Sequence, residues 1–302
     1  MDIRTALKEG ISQLRNADVR SFTLAAELLL VHALGRNRTW LYAHPEEAVS
    51  DDEARRFFAL LARRAAGEPT QHLTGKQEFW GLEFEVTPDV LIPRPETEHA
   101  IEVALDRLAL RELRAGRPQK TEGTGLQIAD IGTGSRCIAV ALAKELPAAH
   151  FYATDISPAA LAVAQRNAKR YSVADRIQFV ESNLLEAFHS PPATRNSPVW
   201  FDLIASNPPY VGRREAASLP REVRDHEPAS ALYGGEEGYE LYAELIAQSR
   251  RHLKPDGILV LELGHNSLPA VGPLVEAPEW INVGVTDDLA GIPRVLAAER
   301  PA

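Results

Sequence analysis

The chain has 302 residues, 45% of them hydrophobic, enough for a sizeable core and about two domains. Its formal net charge of −9 is the reverse of the basic excess that a nucleic-acid-gripping protein carries, so no nucleic acid is expected as principal partner. One cysteine, Cys137, leaves no internal disulfide; nine scattered histidines suggest no metal; and no leader pattern or run of about 18 apolar residues is present, so a cytoplasmic chain without membrane contact is expected.

Residues 1 to about 75 read as helices. Ile3, Leu7, Ile11 and Leu14 recur at helical spacing and predict an amphipathic helix over 3–14. Ser21 or Thr23 is positioned to cap a second helix, which runs through Leu24, Leu28, Val31 and Leu34 to Gly35, a C′ glycine. A short element at 40–42 follows. Ser50-Asp51-Asp52-Glu53 is a capping box that opens a helix with Phe57, Leu60 and Leu61 on its apolar face, and Gly67-Glu68-Pro69 stops it. This small helical domain holds no catalytic constellation. The period then changes. Residues 79–86 alternate and Pro88-Asp89 is a turn signal, so 76–93 is predicted to be a β-hairpin linker.

A helix over 97–110 carries acids in its first turn, and 111–125 reads as a surface loop. Beyond it, strands are predicted at 126–131, 150–154, 177–181, 201–206 and 257–263. The helices between them are about 136–146, 158–171 and 238–253. Such alternation implies an α/β class with a parallel sheet covered on both faces. Residues 280–286 and 294–298 are predicted to close it with antiparallel strands. The expected layout is 1–75, 76–93 and 94–302.

Two turns carry the chemistry. Asn207-Pro208-Pro209-Tyr210 follows the apolar run 201–206. An Asn side chain both donates and accepts hydrogen bonds, and each Pro fixes its φ and lacks an N–H. Such a turn suits holding a planar amino or amide nitrogen, with Tyr210 offering a face for stacking. It is also what a Pro-rich turn ending a strand looks like. About 75 residues upstream, Asp130-Ile131-Gly132-Thr133-Gly134-Ser135-Arg136 reads as a strand end, a Gly-rich turn and a helix start. Asp155 ends the next strand, about 20 residues on, where a carboxylate meets ribose hydroxyls. The third glycine of a dinucleotide fingerprint is missing, which disfavours NAD. Together, D-x-G-x-G, Asp155 and N-P-P-Y point to S-adenosylmethionine (SAM).

The chain resembles the release-factor glutamine methyltransferases over nearly its whole length. The resemblance rests on the helical front domain, Gly67-Glu68-Pro69 with Gly75, Glu78-Phe79-Trp80-Gly81-Leu82 and Ile92-Pro93-Arg94-Pro95-Glu96-Thr97-Glu98. It continues through the D-x-G-T-G-S turn, N-P-P-Y, His226-Glu227-Pro228, Leu253-Lys254-Pro255-Asp256-Gly257 and Leu261-Glu262-Leu263-Gly264. It implies a Rossmann-like SAM-dependent methyltransferase sheet and methyl transfer to the N5 amide nitrogen of the glutamine in the Gly-Gly-Gln motif of class-1 release factors, with S-adenosylhomocysteine as product. By resemblance, Gly132, Thr133, Gly134, Ser135 and Arg136 border the methionine end of the cofactor and Asp155 the ribose. Asn183 and Leu184 meet the adenine. Asn207, Pro208, Pro209 and Tyr210 hold the glutamine, and the front domain grips the protein substrate.

The chain departs from that family at three places. Arg136 stands where the family usually has Gly; a long cation there clashes and weakens cofactor binding, swings into solvent or packs benignly, or pairs with the cofactor's carboxylate. Asn183 replaces an Asp, and His265-Asn266-Ser267 replaces a Gln-bearing ending. Two other readings stay open: a nucleic-acid exocyclic-amino methyltransferase using the same N-P-P-Y, and a SAM-binding protein impaired in catalysis by Arg136.

Overall fold

The computed structural model describes residues 1–114, 125–189 and 199–302. The chain divides into two compact units. One is Met1–Lys76 with Leu219–Glu227; the other is Gln77–Ser218 with Pro228–Ala302.

The first unit is built on helices Ile3–Asn16, Phe22–Leu34, Arg38–Ala43, Asp51–Ala65 and Thr70–Thr74. Ile3, Leu14, Leu29, Leu30, Phe57 and Leu61 are buried at its centre. The capping box forms as expected: Ser50 accepts from the Glu53 N–H, and Glu53 accepts from the Ser50 N–H. Gly35 ends its helix in the left-handed region, φ 63°. The expected side-chain cap on that helix does not form. Ser21 sits at the N-cap with φ 51°, whereas a capping side chain needs an extended backbone. The distant segment Leu219–Glu227 joins this unit, and Arg64 pairs with Glu222.

A hairpin opens the second unit, its first strand β1 (Lys76–Phe79) beginning on the last residue of the helical unit's main segment and followed by β2 (Leu82–Glu85). Trp80 and Gly81 both have positive φ, as a two-residue turn matching strand twist requires. A helix, Glu98–Arg114, follows the 3-10 turn Pro95–Thr97. It runs one turn into the stretch expected as a loop, because Arg114 pairs with Glu299 at 2.7 Å and Arg111 reaches the Asp202 carbonyl at 3.3 Å. The rest of that expected loop, 115–124, lies outside the described residues.

The main sheet comprises β3 (Gln127–Ile131), β4 (His150–Asp155), β5 (Ile177–Glu181), β6 (Phe201–Ser206), β9 (Leu253–Glu262), β10 (Ile281–Asp287) and β11 (Pro293–Glu299). Its order is β10-β11-β9-β6-β3-β4-β5, with β11 antiparallel to its neighbours β9 and β10 and the other neighbours parallel. β9 begins earlier than expected, at Leu253, since a register shift lets Leu253 pair with Phe201 before Ile258 pairs with Leu203. A small parallel pair, β7 (Val211–Gly212) with β8 (Tyr233–Gly235), was not foreseen.

Strand residues alternate between two apolar cores. Ile128, Leu203, Ala205, Ile258 and Val260 face one; Ala129, Ile204, Leu259 and Leu261 face the other. Helix Cys137–Glu145 packs into the first core and helix Glu240–His252 into the second. Cys137 is a buried member of the first.

From β3 the strand order runs one way through β4 and β5, and the other way through β6 and β9. That reversal is a topological switch point, where ligands bind at the carboxyl ends of strands. Asn167, on helix Pro158–Arg170, ties the hairpin to this edge. Its oxygen accepts from the Glu85 N–H at 2.8 Å; its nitrogen donates to the Glu85 carbonyl at 3.0 Å and the Ser135 carbonyl at 2.9 Å. Replacing Asn167 by Ala leaves the buried Ser135 carbonyl unpaired, at about 1–3 kcal/mol, while the part-buried Glu85 groups turn to water. Urea denaturation should show a loss in that range, and a loss below about 0.5 kcal/mol, the level of an ordinary surface change, would rule out the clamp.

Candidate active site

The turn after β3 is shaped by left-handed backbone. Gly132 has φ 69° and Gly134 φ 51°. A Cβ at either would meet no atom within 4 Å, so the glycines serve the backbone conformation and leave open space beside it. Asp155, at the end of β4, fixes the turn by accepting from the Gly134 N–H at 2.9 Å and from the Ser157 N–H at 2.9 Å. Burial raises its carboxyl above the ordinary value. The Asp155 carbonyl in turn accepts from the Ser182 N–H, which places Asn183 and Leu184 alongside.

These elements enclose a cavity of about 230 Å³. Seven of the expected residues line it: Gly132, Gly134, Asp155, Asn183, Leu184, Asn207 and Pro209. Thr133, Ser135, Arg136, Pro208 and Tyr210 do not. Thr133 turns inward and donates to Asp130 at 2.6 Å, and the buried Ser135 gives its carbonyl to Asn167. Leu184 is held at φ 50°, an uncommon conformation for a branched side chain. The Asn183 nitrogen donates to Glu186 at 2.9 Å. Sequence reasoning missed Asp89, Val90 and Leu91 after the hairpin, Ile156 and Ser157 after Asp155, and Ser230, Ala231 and Tyr233. The His-Glu-Pro segment before Ser230 was the one available signal for that wall.

Of the courses open to it, Arg136 takes packing inside the protein rather than solvent. It is fully buried, adopts φ 71°, and lays its guanidinium over the Phe179 ring, 3.9 Å from the centroid. Its guanidinium nitrogens find no hydrogen-bond partner among the described residues, and burial lowers its pKa to about 9. Asp130 lies close enough for mutual attraction, although burial pushes that carboxyl up to about 6.

Asn207 ends β6, one residue past the pairing of Ser206 with Ile131. Its nitrogen donates to Thr97 Oγ1 at 3.1 Å. Its oxygen is buried and accepts from no donor among the described residues. Thr97 donates onward to Glu262 Oε2 at 2.6 Å, and burial pushes the Glu262 carboxyl up to about 7. Tyr210 packs against the second apolar core, with its hydroxyl 3.5 Å from Glu262 Oε1. Gly264 gives that ring room, since a Cβ there would lie 3.0 Å from it. Of the departures at 265–267, His265 and Asn266 are exposed and Ser267 is buried beneath the Gly264 turn.

An open glycine turn, a carboxylate and an unpartnered amide oxygen around one cavity fit a SAM-type cofactor beside a nitrogen donor. Among the described residues, no cluster of three or more His, Cys, Asp or Glu could hold a metal ion, and no helix is long and apolar enough to cross a membrane. Residues 5–75 match the model of the PrmC N-terminal domain, and residues 117–222 that of the methyltransferase small domain. A release factor glutamine methyltransferase of Koribacter versatilis is 42% identical across 100% of this chain and 99% of its own length. One of Nitratidesulfovibrio vulgaris is 40% identical across 97% and 94%.

The chain belongs to the release factor glutamine methyltransferase family.

Among solved structures, the catalytic domain of hMettl16 in complex with an RNA hairpin superposes with a TM-score of 0.54 at 19% identity, covering 80% of this chain and 81% of that one. At that identity the likeness concerns the fold: the α/β methyltransferase sheet is shared well beyond the family.

The buried carboxyl of Asp130 gives a pH test. Its folded-state pKa, about 6, lies above its ordinary 3.8, so the folded state binds the proton more tightly. Its contribution to stability is full below about pH 4, falls as pH rises through 6, and is flat above. The melting temperature of wild type should fall between about pH 4 and 6 relative to that of Asp130→Asn, which lacks this titration, so the two curves lie closest in acid and separate as pH rises. Parallel curves would mean that Asp130 does not titrate this way.

Proposed function

We propose that this chain transfers a methyl group from SAM to the side-chain amide nitrogen of the glutamine in the Gly-Gly-Gln motif of class-1 peptide release factors. The observation that carries the reading is Asn207, which lines the cavity and whose buried oxygen has no donor among the described residues. A glutamine amide brings two N–H donors, and one of them satisfies that oxygen. The names of the full-length relatives support the same substrate.

When bound, SAM would supply an electrophilic methyl group: the amide nitrogen gains the methyl as the carbon–sulfur bond breaks, S-adenosylhomocysteine is released, and one N–H proton passes to solvent. Gly132 and Gly134 would give its methionine end an open backbone, Asp155 would accept from its ribose hydroxyls, and Asn183 and Leu184 would border its adenine. Thr133, Ser135 and Arg136 act from behind, by setting the shape of the turn. An amide nitrogen is a poor nucleophile because its lone pair is delocalised. The site therefore works by orientation, holding nitrogen and methyl carbon within about 3–3.5 Å. Asn207 is the contact group in this reading. Pro209 and Tyr210 keep the turn rigid. Arg136 does not impair catalysis in this reading, since its charge points away from the cavity lining. No metal takes part. The helical unit formed by residues 1–76 recognises the protein substrate, and the reaction takes place in the cytoplasm.

The direct experiment is transfer of labelled methyl from SAM to a purified class-1 release factor and to its Gly-Gly-Ala variant. Label on the first alone is expected. Label on neither, or on added RNA or DNA in a salt-sensitive manner, would overturn the reading. Asn207→Ala should lower kcat by about 100-fold, as loss of a preorganised hydrogen-bonding group does, and leave SAM affinity nearly unchanged. Equal losses in both would count against its role. Arg136→Met keeps the stem and removes the charge. Calorimetry should find its SAM affinity close to wild type, whereas a tenfold loss, about 1.4 kcal/mol, would place the guanidinium on the cofactor.

A further inference from the structure

We infer that Thr97 and Glu262 are positioning residues that decide which end of the Asn207 amide faces the cavity. The inference rests on the reading that Asn207 holds the acceptor amide.

The two ends of an Asn side chain have nearly the same shape and opposite hydrogen-bonding sense, so something must choose between them. Thr97 and Glu262 are both buried, at 1% and 0% exposure. A threonine hydroxyl has one hydrogen, and an ionised carboxylate only accepts. At 2.6 Å from Glu262, the Thr97 hydrogen is committed to the carboxylate. Thr97 Oγ1 is then left with acceptor capacity alone. The Asn207 atom 3.1 Å away must be the nitrogen, and the oxygen is the end left unpartnered. Reversed, Asn207 would aim an N–H at the N–H groups of the acceptor glutamine and repel them.

The same polarity supplies selectivity. An amide N–H is attracted to the Asn207 oxygen, whereas a glutamate carboxylate oxygen is repelled by it. The chain of three is assembled by the sheet. Ser206 pairs with Leu261, so the residues that follow each, Asn207 and Glu262, leave adjacent strands together. Thr97 arrives from the 3-10 turn Pro95–Thr97. Around Glu262, Arg294 favours the ionised form, Glu96 opposes it, and the Tyr210 hydroxyl supports it. Assays belong at about pH 8, above the Glu262 value of about 7.

The test uses the full chain with release factor as substrate. Thr97→Val keeps the shape and removes the hydroxyl. It should lower kcat at least about tenfold with SAM affinity retained, and Thr97→Ser should recover most of that loss. In an Asn207→Ala background, Thr97→Val should add little, because both act through one amide. Glu262→Met removes the acceptor, frees the Thr97 hydrogen and should lower kcat in the same manner, which covers the case of a poorly folding Thr97 variant. Wild-type kcat in either folded variant, an additive double variant, or SAM affinity falling in step with kcat in both would overturn the inference. A wild-type protein that leaves the glutamine unlabelled defeats the functional reading instead, and that control is read first.

Discussion

The parallel pairing of β3 with β6 is the constraint on which the site depends. Ile131 pairs with Ser206, and the Ser206 hydroxyl donates to the Ile131 carbonyl at 2.7 Å. Both strands therefore end at one level, side by side, where the chain order of the sheet reverses. One continues into the glycine turn and the other into Asn207. Neither turn makes a site alone. The pairing brings an open backbone cradle and an unpartnered amide oxygen to one cavity without a long loop to carry either. On the far side, β6 pairs with β9, and the same levelling sets Glu262 behind Asn207.

Packing keeps that level fixed. Alternate residues of β3, β6 and β9 enter two different cores, so a one-residue slip would exchange the faces of every strand residue. The turn after β6 is enclosed with equal care. β7 pairs with β8, and a Cβ on Gly234 would overlap the Pro209 carbonyl. The segment after N-P-P-Y thus returns to cover the turn closely, which restricts it more than two prolines do alone.

Much of this was legible in the chain. The five parallel strands and the closing antiparallel pair follow from runs of apolar residues between turn signals. Gly132, Asp155 and Asn207 follow from residue types whose chemistry is local. Misses arose where distant contacts decide. The helix from Glu98 continues to Arg114 because Glu299 holds its end, 185 positions away. Ser21 fails as a cap because the turn before it imposes a left-handed backbone. Thr97 read as a helix start, and its hydrogen bond to Glu262 spans 165 positions. No spacing rule reaches that far, so the groups that orient Asn207 were present in two motifs without a reason to be joined.

Arg136 shows the limit of reading a motif by residue identity. The turn asks for a left-handed backbone at this position, which glycine adopts freely and other residues adopt at a cost of about 1–2 kcal/mol. Arg136 takes that conformation, and its Cβ points into the protein. Burying an unpaired guanidinium adds a further penalty. The Phe179 face returns about 2 kcal/mol when desolvated, and Asp130 adds attraction without a hydrogen bond. The departure is thus absorbed as a local cost in stability. Gly134 still donates to Asp155, and Gly132 and Gly134 keep their positive φ. What the turn conserves is a backbone path and a direction for one side chain. A large cation satisfies both by pointing the way the cavity does not.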